Sequence, residues 1–67
     1  MSKFLYITPN TTVRRKYVAR IYMPWDTEDI IVERTQGLPD LVWPKNTPGY
    51  PAAKAWFDKV QEGTIIL

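Results

Sequence analysis

Residues 13–35 read Val13-Arg14-Arg15-Lys16-Tyr17-Val18-Ala19-Arg20-Ile21-Tyr22-Met23-Pro24-Trp25-Asp26-Thr27-Glu28-Asp29-Ile30-Ile31-Val32-Glu33-Arg34-Thr35, and the fold turns on this stretch. As a helix, 13–23 would align Val13, Tyr17 and Ile21 but would set Arg14, Arg15 and Lys16 in its first turn, against the helix dipole. As a strand it carries Val13, Tyr17, Ala19, Ile21 and Met23 on one face, with Arg15 the exception, and Arg14, Lys16, Val18, Arg20 and Tyr22 on the other. Its β-branched and aromatic content favours the strand. Ile30–Thr35 is a second strand. If Pro24–Asp29 is the loop, Met23 faces Ile30, Ile21 faces Val32 and Arg20 faces Glu33. A slip of one residue sets Arg20 against Val32 and turns side chains to the wrong face.

Outward from this hairpin, Lys3-Phe4-Leu5-Tyr6-Ile7-Thr8 is an apolar run ended by Pro9-Asn10. It predicts a strand covered on both faces, hence central in its sheet. Residues 51–62 predict a helix. Pro51 suits its first position, Ala53, Trp56, Phe57 and Val60 form its apolar stripe, Lys54 and Asp58 pair four apart, and Gly63 caps its end. Thr64–Leu67 is expected to return as a last strand beside 3–8. Residues 36–51 hold Pro39, Pro44, Pro48 and Pro51 and predict an extended, polyproline-like path. The expected fold is one α+β domain over 1–67: a small, mainly antiparallel sheet of three to four strands packed against one C-terminal helix. The expected core is Phe4, Tyr6, Tyr17, Ile21, Val32, Trp56, Phe57, Val60 and Ile65.

Sixty-seven residues with nine Lys and Arg, seven Asp and Glu, no Cys and no His exclude a disulfide, a thiolate zinc site, a Cys nucleophile and a His base. No apolar run is long enough to span a membrane as a helix, and no signal-peptide pattern opens the chain, so a cytoplasmic protein is expected, with a virion location as a variant of it. A chain this short buries only about 60% of its unfolded surface, which makes a partner, another protein or a second copy, an expected source of stability. There is no phosphate-binding glycine loop, and the lone serine, Ser2, sits at the terminus. No enzyme, catalytic residue, cofactor or metal is expected.

Three groups of residues are candidates for binding. Arg14, Lys16, Arg20 and Tyr22 share a strand face that can take phosphates and a base, or an acidic partner. Set against this, Asp26, Glu28, Asp29 and Glu33 follow closely and offer local neutralisation. Asp26, Glu28 and Asp29 lack calcium-loop spacing and read as a polar turn. Trp43 and Tyr50, on the proline-rich segment, are either wrapped on the protein's own core, with Trp43 near Trp56, or anchors for another protein, whose docking stiff prolines would favour. Trp25, at a hairpin tip, is a third anchor unless it folds back onto the sheet. The expected function is a non-catalytic protein-binding module that works by occupying a surface, as a small subunit, adaptor or inhibitor. Phage-encoded host inhibitors and small virion components share this size and chemistry, a parallel that does not extend to sequence. The alternative is a small nucleic-acid-binding protein using the basic strand.

Overall fold

The computed structural model describes residues 3–65. The chain runs β1 (Phe4–Thr8), β2 (Thr11–Arg14), one turn of 3-10 helix (Arg15–Tyr17), β3 (Val18–Tyr22), β4 (Ile30–Arg34), β5 (Leu41–Trp43) and α1 (Tyr50–Gln61). All pairings are antiparallel: β1–β2 form one sheet and β3–β4–β5 another. The α+β class with one C-terminal helix is as expected. The strands, however, form two small sheets, and α1 packs against β1 of one and β4 of the other.

The division into two sheets comes from the 3-10 turn. Residues 13–23 are not one strand. The alternation that fails at Arg15 marks where the backbone leaves the first sheet. The Arg15 N–H donates to the Lys3 carbonyl at 2.9 Å, and the Val18 N–H donates to the Arg15 carbonyl. The Tyr17 carbonyl accepts from the Thr35 N–H at 2.8 Å, so the turn is tied at one end to the residue preceding β1 and at the other to the residue following β4. Within β3–β4 the register is the expected one, with Arg20 opposite Glu33 and Ile21 opposite Val32. β3 ends at Tyr22, one residue short of the expected Met23–Ile30 pair.

β1 is not a central strand. Leu5 and Ile7 are buried, while Phe4 and Tyr6 lie on the opposite, exposed face, Tyr6 at 67%. In a two-stranded hairpin only one face meets the core, and an all-apolar run gives no parity to say which. The aliphatic side chains bury, and the rings stay outside, where a phenol keeps its water and Arg14 covers Phe4 at 5.6 Å. The core is Leu5, Ile7, Val13, Ile30, Val32, Ala53 and Trp56. Val32 and Trp56 were expected there, and Ile21, Phe57, Val60 and Ile65 pack around it, partly buried. Phe4 and Tyr6 do not contribute, and Tyr17 is half-buried outside this cluster with Lys16 over its ring.

The proline-rich segment is more structured than its composition suggests. Gln36 and Gly37 both have positive φ, +63° and +73°, and the Leu38 N–H donates to the Thr35 carbonyl, as in the two-residue hairpin turn whose twist matches that of its strands. β5 follows between Pro39 and Pro44, so both prolines flank the ladder and cost it no hydrogen bond. Helix α1 starts at Tyr50 with Pro51 in its first turn, buries Ala53 and Trp56, and joins Lys54 to Asp58 at 2.6 Å. Its end is a Schellman motif. Gly63 has φ +82°, the Thr64 N–H reaches the Lys59 carbonyl at 2.9 Å, and the Gly63 N–H reaches that of Val60 at 3.1 Å. The Ile65 N–H also points to the Lys59 carbonyl, so the backbone of Thr64 and Ile65 closes the helix instead of extending a sheet, contrary to the expected last strand. Ile66 and Leu67, the remainder of that strand, lie outside the described residues.

Candidate protein-contact site

The β3–β4 connection, Met23–Asp29, is braced from several directions. Inside it, the Glu28 N–H donates to the Pro24 carbonyl at 2.9 Å, closing one turn. That closure places Glu28 at φ +60°, a left-handed conformation that costs a non-glycine residue roughly 1–2 kcal/mol. Three contacts, two to the β5–α1 connection and one to the first residue of α1, hold it there. The Tyr50 hydroxyl donates to the Glu28 carbonyl at 2.9 Å, the Lys45 ammonium pairs with the Glu28 carboxylate, and the Lys45 N–H donates to Asp29 Oδ1 at 3.1 Å. The hydrogen bond and charge of Lys45 hold the Glu28 carboxyl below the usual carboxylate range, and Glu28 in return raises Lys45. Two members of the acidic cluster are thus engaged by the protein's own chain. Among the described residues no three metal-ligating side chains converge.

Trp25 stands on this braced loop with 91% of its surface in water; it does not fold back onto the sheet. Its neighbour Asp26 is exposed, and its carboxylate has no partner among the described residues. Trp43 and Tyr50 are placed differently. Trp43 lies opposite Ile30 in the ladder, packs on the core and is half-buried. A β-carbon on Gly49 would stand 3.2 Å from Trp43 Cδ1, so the small residue before α1 gives the indole its seat. Tyr50 is also half-buried against the core, with its hydroxyl spent on Glu28. These two rings sit behind the loop that carries Trp25.

The basic row is divided. Arg14 lies on the β1–β2 sheet opposite Phe4, Lys16 is on the 3-10 turn, and Arg20 and Tyr22 are on β3. Arg20 Nε pairs with Glu33 Oε2 at 2.7 Å, which raises the guanidinium pKa, and the same group lies 4.4 Å from the Tyr22 ring centroid. The ring that would stack a base is therefore covered, and one of the cations that would meet phosphate is neutralised. Arg14 and Lys16 remain exposed and pair with no carboxylate among the described residues. Two exposed features lay beyond sequence reasoning. One is the Phe4–Tyr6 face of β1, hidden by the parity problem. The other is Val42, exposed on β5 at the end of an outward row with the half-buried Tyr22 and Ile31, which required β5 to be recognised. No helix among the described residues is long and apolar enough to cross a membrane. Comparison with protein-family models, curated proteins and solved structures finds no match to this chain.

Proposed function

We propose that this chain is a non-catalytic protein-binding module, a small subunit, adaptor or inhibitor of the cytoplasm or of a virion, that engages its partner through Trp25. The observation that carries this reading is a tryptophan held almost wholly in solvent on a loop fixed by Tyr50, Lys45 and its own internal turn. Leaving an indole in water forfeits about 1.5–3 kcal/mol of burial, and holding the loop in a left-handed turn costs more. A partner pocket recovers the burial with little ordering cost because the loop is already fixed. Tryptophan is also prominent among the residues that dominate interface energies. In this reading Trp43 and Tyr50 support the site by holding the loop from behind. Pairing of Arg20 with Glu33 and Tyr22 weighs against the nucleic-acid alternative built on Arg14, Lys16, Arg20 and Tyr22.

The test is quantitative capture from extracts of the cells that make the protein, with the wild-type chain, Trp25→Ala and Glu62→Ala immobilised in parallel. The reading predicts proteins retained by the wild type and by Glu62→Ala and lost with Trp25→Ala, while circular dichroism shows the fold kept. Equal retention by all three chains overturns it, as does retention of nucleic acid alone that salt removes.

A further inference from the structure

Charge is segregated along this chain. Residues 1–25 hold five cations, Lys3, Arg14, Arg15, Lys16 and Arg20, and no acid; residues 26–33 hold four acids, Asp26, Glu28, Asp29 and Glu33, and no cation. The fold satisfies part of this internally through Arg20–Glu33 and Lys45–Glu28. Of the other charges, Asp26, Arg14 and Lys16 pair with no opposite charge among the described residues, and they fall in two places. At the β3–β4 tip, the exposed Trp25 stands beside Asp26, which has no partner among the described residues. On the β1–β2 hairpin, the outward face shows the Tyr6 ring at 67% exposure and the Phe4 ring at 38%, with Arg14 across the ladder and over Phe4; Lys16, exposed on the 3-10 turn that follows, lies over the Tyr17 ring. One surface is an aromatic knob with a negative rim. The other is an aromatic face with a positive rim.

We infer that these surfaces are the two halves of one interface between copies of this chain, with Trp25 of one copy seated on the Phe4–Tyr6 face of the next and Asp26 meeting Arg14 and Lys16. The inference rests on the reading of Trp25 as a contact residue and names its partner as a second copy. Three observations favour that occupant. The charges left unpaired at the two sites are opposite in sign, which steers and orients encounter. Each site offers one ring mostly in solvent, Trp25 at 91% and Tyr6 at 67%, of a size that buries about 150–250 Å² when fully covered. A chain of this length also gains more from association than a larger domain does. The two halves are different surfaces, so the contact is head-to-tail and either closes a ring or extends.

Sedimentation velocity on the full chain, from about 10 µM to about 1 mM at low salt, tests this over the affinity range expected of a weak contact. The wild type is expected to rise above its 7.8 kDa chain mass with concentration, and to fall back as salt screens the rim charges. Trp25→Ala removes the knob and the pair Arg14→Asp, Lys16→Asp removes the face; each variant should stay monomeric. Mixed in equal amounts, they should form a species of twice the chain mass, because one intact half from each suffices for a single contact. Asp26→Lys should weaken association at least tenfold, and combining it with Arg14→Asp and Lys16→Asp in one chain should restore it, which excludes misfolding as the cause of loss. A wild type that stays monomeric throughout overturns the inference, as does unchanged association of Trp25→Ala or a mixture that fails to pair while the wild type associates. A monomeric wild type whose captured protein is still lost with Trp25→Ala overturns the second copy alone; loss of both effects overturns the contact role of Trp25 as well.

Discussion

The Tyr50 hydroxyl and the Glu28 carbonyl, 22 positions apart, meet at 2.9 Å, and through this bond the first residue of the helix fixes the loop that exposes Trp25. Removing the hydroxyl in Tyr50→Phe leaves the ring's packing and deletes the bond. The expected cost is about 0.5–1.5 kcal/mol, the net worth of one such bond, read as a lower urea midpoint. Amide exchange should quicken at Thr27–Asp29 and stay unchanged in β4.

The two faces of β1 should respond very differently to truncation. Leu5→Ala, in the core, is expected to cost about 2–5 kcal/mol, enough to unfold much of a chain this small. Tyr6→Ala, on the outer face, should stay within about 0.5 kcal/mol of the wild type. Chemical denaturation of the two variants separates the observed face from its inverse.

The β4–β5 turn offers a third test. At Gly37, φ is +73° and nothing lies within 4 Å of an added β-carbon, so Gly37→Ala meets backbone strain without a clash, at an expected cost of about 1–2 kcal/mol. Gln36→Asn, which places the preferred Asn-Gly pair in this turn, should stabilise by roughly 0.5 kcal/mol. Thermal midpoints should move in opposite directions.

Ion pairing at the loop gives a pH dependence with a definite sign. The folded-state pKa of Glu28 is lowered by Lys45, so the stabilisation is fully present above the unfolded carboxylate value and is lost as pH falls through the folded one. Lys45 is raised by Glu28; its share is present below the ordinary lysine value and is lost as pH rises through the elevated one. Lys45→Met should flatten both limbs of the stability profile. Because both groups are solvent-exposed, salt should flatten the wild-type profile in the same way.

These positions also show where a sequence is readable. The Arg20–Glu33 register was legible because slippage would bring a cation against Val32, so apolar and charge patterns agreed on one answer. Helix α1 was legible because Pro51, the Ala53–Trp56–Phe57–Val60 stripe and Gly63 each mark a different part of it. The inward face of β1 was not, since Phe4, Leu5, Tyr6 and Ile7 are all apolar and alternation carries no sign. Strand β5 was hidden by Pro39 and Pro44, which bracket four residues, three of them made a strand by tertiary pairing. The break at Arg15–Tyr17 did leave a trace in the failed alternation at Arg15. At the candidate site, the place of Trp25 at a hairpin tip left two outcomes open, exposure or folding back onto the sheet, and the contacts that hold the loop decide for exposure. The bracing by Tyr50 and Lys45 depends on contacts distant in sequence.

Trp25 is both fixed and exposed. Backbone 15N relaxation across residues 24–29, with solvent exchange of the Trp25 indole N–H, tests this most directly. Order parameters near those of β4, about 0.85, are expected together with rapid exchange of that indole; values below about 0.6, or an indole protected from water, would mean that Trp25 is not held out in solvent by a fixed loop.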